Sequence, residues 1–165
     1  MKTIGAAALI IAAAVFSPTL FSPAVGHAEP AVDAVPPAQD GPVRTACSTF
    51  GEALNLAAES YDEFAYATAG SGNTVDYADQ QVQRTNVIGR TALREAAYAV
   101  LGASRTPGLP PEVSRPMREW SLRATKLLVI MGVRGGGDAL NAAADDLNVD
   151  AREAQMACAL HGGQA

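Results

Sequence analysis

Histidine, cysteine and clustered carboxylates are the side chains that most often carry catalysis or hold metals, and this chain has only two His and two Cys. His27 falls in an N-terminal stretch that reads as a leader, which leaves His161 as the sole imidazole of the mature chain. A Ser-His-Asp or Cys-His arrangement needs its base held to within tenths of an ångström. His161 stands beside Gly162 at the frayed end of the last helical stretch. Its plainer role is that of a C-terminal helix residue whose partial positive charge suits the helix dipole.

Carboxylates gather at Glu59, Asp62 and Glu63 around Tyr61, and again at Asp145 with Asp146. A dinuclear carboxylate bundle would require inward Glu residues and Glu-x-x-His motifs, and the sequence has none. These acids read as solvated faces, with weak surface Ca²⁺ contact as the lesser alternative. Arg134 to Asp138 runs Arg-Gly-Gly-Gly-Asp into a helix, where free backbone N–H groups could hold an anion. No Gly-Lys-Ser/Thr ending follows, and Asp138 at the helix start repels a phosphate, so an interhelical turn is the better reading. No catalytic residue, metal site or cofactor is assigned on these grounds, and the chain is expected not to be an enzyme.

Aromatic and thioether side chains offer a different chemistry. Tyr61, Tyr66, Tyr77 and Tyr98, with Trp120, Met117 and Met131, could line a pocket between helices, and a Tyr phenolate can ligate haem iron. Leu127 to Met131 is apolar on every helical face and follows Trp120 on one stripe. The expected pocket for an apolar small ligand is therefore Trp120, Leu127 and Met131, with Tyr61 or Tyr98 as the nearest polar groups. Alternatively, Ala92, Ala96, Ala144 and Ala151 let the helices approach closely, and no cavity forms.

The elements that must position these groups follow from charge and periodicity. Residues 3–26 carry no formal charge behind Lys2, and Ile4 to Phe16 form a short apolar run. Small residues at Gly26 and Ala28 then mark a cleavage site before Glu29, so residues 1–28 read as a signal peptide. The run is shorter than the roughly 20 residues that span a bilayer, and no membrane anchor is expected after cleavage. Residues 29–44 form an Ala/Pro-rich arm that cannot bury enough apolar surface to order itself.

From Thr45 the apolar residues step by three and four: Cys47, Phe50, Leu54, Ala57, Tyr61, Phe64. A turn at 70–73 leads to a second stretch on Val75, Ala78, Val82 and Thr85, with Asn73 or Thr74 as its N-cap. A third starts at Ser114, because Pro116 lies close behind, and carries Val113, Met117, Trp120, Ala124, Leu127 and Met131. A fourth runs through Leu140, Ala144, Leu147, Ala151, Ala154 and Cys158, where an Asp150-x-x-Glu153 capping box allows a break near Asn148. No stretch alternates with period two.

The fold class is therefore all-α, an up-down-up-down four-helix bundle over residues 45–161 with a short tail at 162–165. That topology brings Cys47 and Cys158 to one end, where an exported chain would pair them, two buried thiols being the alternative. With 12 Lys and Arg against 17 Asp and Glu, and a pI near 4.9, the balance argues against nucleic acid.

The leader ending Gly26-His27-Ala28, the Ala/Pro arm, and Cys47 and Cys158 bracketing the helices together resemble the small exported one-disulfide all-α proteins of mycobacteria and related actinobacteria. The resemblance spans the mature chain and implies a secreted or envelope location. Secreted haem carriers of that group are also helical, but this chain has no His within its helices. The Trp-x-Gly turn of type VII secreted hairpins is absent too, since Ser121 and Leu122 follow Trp120. The expected function is contact with an envelope component or a host protein, without catalysis. Carriage of an apolar ligand, lipid or haem, between the helices is the alternative.

Overall fold

The computed structural model describes residues 41–69 and 74–165. The leader, the arm as far as residue 40 and the turn at 70–73 lie outside the described residues. Four helices account for nearly all of the described chain, and no strand occurs among the described residues.

Helix α1 (Pro42–Thr68) starts three residues before Thr45, with Pro42 at its first position. Proline suits that position because the first N–H groups of a helix have no intrahelical partner. The α1 stripe is the one the spacing predicts, with Cys47, Phe50, Ala57, Tyr61 and Phe64 buried.

Helix α2 (Gln80–Ala103) begins later than its apolar spacing suggests. Thr74 is not its cap. Asp79 is, accepting from Gln81 N–H at 2.8 Å and Val82 N–H at 3.0 Å. Asp76 accepts from Ala78 N–H at 2.9 Å, which holds the chain in a turn just upstream. Val75 and Tyr77 still pack against the core from this non-helical segment, so they extend the periodic pattern without being helical. Asp79→Ala should remove the cap and cost about 1 kcal/mol. A urea midpoint unchanged by that substitution would show that α2 starts are held by packing alone.

Helix α3 (Pro111–Gly132) starts at Pro111 rather than at Ser114, with Pro110 as its N-cap. Pro116 sits inside the helix, where its missing N–H leaves the carbonyl of Glu112 without its usual donor. Glu112 is exposed, so water can serve that carbonyl and the helix continues unbroken. Helix α4 (Gly137–Leu160) has no break at Asn148. Asp150 turns toward α3 instead of capping a new helix: its Oδ2 lies 3.3 Å from Arg123 Nε. The buried row Leu147, Asp150, Ala151, Ala154 and Cys158 therefore runs on without interruption.

Neighbouring helices pack closely in sequence order, whereas α1 and α4 touch sparsely. Gly89 makes the α1–α2 approach possible, because a Cβ there would stand 3.3 Å from the Ser60 carbonyl oxygen and 3.1 Å from Met131 Cε. Between α2 and α3, Asn86 Nδ2 donates to the Met131 carbonyl (3.3 Å) and Ser121 Oγ to the Ala97 carbonyl (2.7 Å). Both side chains are buried, and each donates a hydrogen bond across the helix pair. The result is the expected up-down-up-down bundle.

Candidate functional site

The end of the bundle where α1 begins and α4 ends is closed covalently. Cys47 and Cys158, both fully buried, form a disulfide with their Cα atoms 5.8 Å apart. Past α4 the chain turns through His161 at the C-cap and Gly162 at φ +78°, and Gly163 N–H then donates to the Cys158 carbonyl at 2.8 Å. This is a glycine-ended helix stop of the usual kind. Its consequence is that residues 162–165 are not simply a tail: Gly163 is buried, and a Cβ on it would meet Cys47 Sγ at 2.6 Å. His161 itself is exposed and ends the helix.

The opposite end is closed by aromatic rings. Phe64 stacks on Tyr77 at 6.5 Å and tilts against Tyr61 at 6.1 Å. Tyr77 Oη donates to the Gly135 carbonyl at 3.1 Å, tying the segment before α2 to the loop before α4. In that loop Arg134 adopts φ 58°, a conformation in which glycine is usual, and Gly135 N–H reaches back to the Ile130 carbonyl at 2.9 Å. Its guanidinium stands 5.9 Å from the centre of the Tyr77 ring. The Arg134–Asp138 segment is thus an interhelical turn whose arginine is engaged by an aromatic face and whose Asp138 occupies the first turn of α4.

Between these ends lie the residues from which the sequence suggested a pocket, and Leu127 and Met131 do not line the recess found there. Trp120, Leu127 and Met131 are all fully buried and point into the common core. Trp120 meets Phe50 edge-on at 5.5 Å. Tyr61 joins them, but Tyr98 does not: it is 81 % exposed, because the α2 stripe that faces inward is Val82, Gly89, Leu93, Ala96 and Val100. Tyr66, at 86 % exposure, is also outside.

Trp120 and Tyr61 line a recess under the sparse α1–α4 seam, with Leu54, Ala57, Leu93 and Leu147 around them. The recess measures about 20 Å³, which is enough for one water molecule and far below the size of a lipid or haem. The indole N–H of Trp120 is buried without an acceptor among the described residues. A larger cleft of about 480 Å³ lies at the disulfide end and is lined by polar residues including Arg44, Ser48 and Gln164.

Tyr61 is a strongly perturbed ionisable group. Burial, assisted by the charges of Asp145, Tyr77 and Asp62, pushes its phenol up from 10.0 to about 12. The folded protein therefore holds this proton more tightly than the unfolded chain does. That contribution is complete below pH 10 and is lost as the pH climbs toward 12. At about 1.4 kcal/mol per pH unit it is worth at most about 3 kcal/mol. Urea midpoints measured across this alkaline range should fall more steeply for the parent chain than for Tyr61→Phe, and parallel curves would rule out the effect.

The carboxylates form pairs and solvated faces. Asp146 accepts from Lys126 Nζ at 3.0 Å and Arg123 Nη1 at 2.8 Å, and the Lys126 hydrogen bond leads in holding its carboxyl below the usual range. Glu59, Asp62 and Glu63 are exposed, and desolvation by partial burial raises the Asp62 carboxyl. Among the described residues no group of three His, Cys, Asp or Glu is placed to hold a metal ion.

Two features escaped the reading of spacing alone. One is the buried Asp150, since an Asp in a helical stripe looks like a capping residue. The other is a division of charge. Arg84, Arg90 and Arg94 on α2, with Arg115, Arg118, Arg123 and Lys126 on α3, outnumber the acids of those helices, whereas α1 and α4 are predominantly acidic. Summing charge helix by helix would have exposed it.

Neither a curated protein nor a solved structure matches the chain. A family match covers residues 30–159, from the arm through almost all of α4. Its description as a four-helix bundle agrees with the four packed helices, and the chain belongs to the Rv2240c four-helix bundle domain family.

Proposed function

We propose that this is an exported protein that works without catalysis, as a helical module acting by contact with an envelope component or a host protein. The observation that carries the reading is how its apolar side chains are distributed. Trp120, Phe50, Phe64 and Leu127 are fully enclosed, yet Val87, Leu122, Val133 and Leu160 stand more than half exposed among charges on the outer faces. Scattered exposed apolar residues are common, but several on adjoining helices offer contact area to a partner. Export is supported by the leader pattern, and the disulfide is compatible with an extracytoplasmic location. No described helix is long and apolar enough to cross a membrane.

Native mass spectrometry of protein isolated from the culture medium of the producing cells tests this reading. The expected species begins at Glu29, carries one disulfide and brings no small molecule with it. Cross-linking in intact cells should give a discrete adduct with an envelope or host component. A secreted chain with Met1 intact would overturn cleavage and export by this route.

A carrier of an apolar ligand is the second reading, favoured by the acceptorless Trp120 N–H beneath the sparse α1–α4 seam. A ligand would have to part that seam, since the recess itself admits only water. Titration with fatty acids and with haem should then shift the Trp120 emission and raise the melting temperature. If neither changes, the carrier reading fails and the contact module stands.

A further inference from the structure

We propose that the outward face shared by α2 and α3 is a docking surface for anionic lipid headgroups at a membrane surface. The proposal rests on the contact-module reading and names the envelope component. The register of the two helices is set by the Asn86–Met131 and Ser121–Ala97 hydrogen bonds, and by the Arg90 guanidinium lying against Gly132. With those pairs level, Val87 on α2 falls near the level of Val129 and Val133 on α3, and Arg94 near the level of Leu122, with Arg118 a turn further along α3. The four apolar side chains are 52–74 % exposed. The outer face therefore interleaves aliphatic groups with arginines.

Charge separates this face from the rest of the molecule. On the α4 side of α3, Arg123 and Lys126 are neutralised by Asp146 and Asp150, and Arg115 is paired with Glu119. Arg94 and Arg118 have no ion-pair partner among the described residues. Glu95 sits a third of a helical turn from Arg94, on the side of α2 that faces α1. The chain as a whole is acidic, with a formal charge of −5, so an anionic surface repels α1 and α4 and attracts only the α2–α3 side. Orientation follows from the sign of the charge.

The chemistry of the face favours a lipid surface over a protein partner. A tight protein interface is built around an aromatic or Arg anchor seated in a pocket, but the clefts described above lie on other faces. Short aliphatic groups at the level of surrounding arginines suit a fluid interface, where long cationic side chains meet headgroups and apolar tips enter the acyl boundary. Tyr98, one turn beyond Arg94 and 81 % exposed, adds an amphipathic ring of the type enriched at such boundaries.

Co-sedimentation of the secreted form with vesicles of equal phosphatidylglycerol and phosphatidylcholine, compared with phosphatidylcholine alone, tests the assignment. Binding at low salt should be at least about tenfold stronger to the anionic vesicles and should weaken as salt is raised. R94E/R118E should lose about tenfold, and Arg94→Gln with Arg118→Gln should lose less. E52K/E59K on α1 should bind no more weakly than the parent. Circular dichroism of the variants separates loss of binding from loss of fold. Equal binding to both vesicle types, or an R94E/R118E variant that binds like the parent, overturns the lipid assignment. If vesicles fail while the cellular cross-link persists, the contact module survives without its lipid partner. A self-association abolished by R94E/R118E would assign the face to a second copy instead.

Discussion

Replacing Cys47 and Cys158 together with Ala is expected to destabilise the bundle by about 2–5 kcal/mol, the usual cost of removing a native disulfide from a small domain. The two cysteines are 111 positions apart, and in the chain-entropy model a loop near that length is worth about 4.7 kcal/mol. A second reason is local. The α1–α4 seam has few other contacts, and Gly163 of the returning C-terminus is packed directly on the bridge. Loss of the bridge should therefore loosen the terminal end first, while α2 and α3 keep their mutual hydrogen bonds. For a domain of about 100 residues such a change corresponds to a fall in melting temperature of roughly 10 °C or more. Hydrogen exchange should show early deprotection around residues 46–53 and 154–163. A double variant that melts within about 2 °C of the parent would mean that noncovalent packing closes the bundle unaided.

Trp120→Ala should be comparably damaging, at about 3–5 kcal/mol, because it empties the middle of the core. The indole is fully buried and holds Phe50 edge-on, so truncation leaves a cavity bordered by α1, α2 and α4 rather than a surface notch. Trp120→Phe separates size from polarity. It removes the acceptorless indole N–H, whose burial opposes folding, while leaving most of the apolar contact. The Phe variant is therefore expected to recover most of the stability lost by Ala. If Phe proves as destabilising as Ala, the indole N–H has an acceptor in solution, such as an ordered water in the adjoining recess. Urea unfolding followed by circular dichroism measures both variants without relying on the fluorophore they lack.

Much of the bundle was legible because helices that face one core must repeat their apolar residues every three or four positions. Cys47, Phe50, Ala57, Tyr61 and Phe64 on α1, and Met117, Trp120, Ala124, Leu127 and Met131 on α3, lie buried as their spacing predicts. Helix starts were less legible. Val75 satisfied the α2 rhythm while lying in a turn, since periodicity records which residues reach the core and not the backbone that carries them there. Pro116 suggested a later start for α3, but the exposed surface beside it lets water replace the lost bond. Asp150 resembled a cap because sequence cannot show that Arg123 lies across the interface. Tyr98 entered the expected pocket by residue type and left it by rotation, standing on the outer side of α2.

The sequence by itself determined the all-α class, the four helical stripes, the common end reached by Cys47 and Cys158, and the acidic balance of the chain. These depend on local spacing, connection length and composition, which act along the chain. Only the tertiary structure decided that Trp120 would be enclosed without a hydrogen-bond acceptor, and that the recess beside it would hold no more than a water. It also decided that α1 and α4 would touch least, and that Arg94 and Arg118 would have no ion-pair partner among the described residues while Val87, Leu122 and Val129 stand exposed on the same two helices. Those outcomes depend on the rotation and separation of helices distant in sequence. Close approaches at Gly89, Gly132 and Gly163, and hydrogen bonds from Asn86 and Ser121, fix that geometry only when both partners are in place.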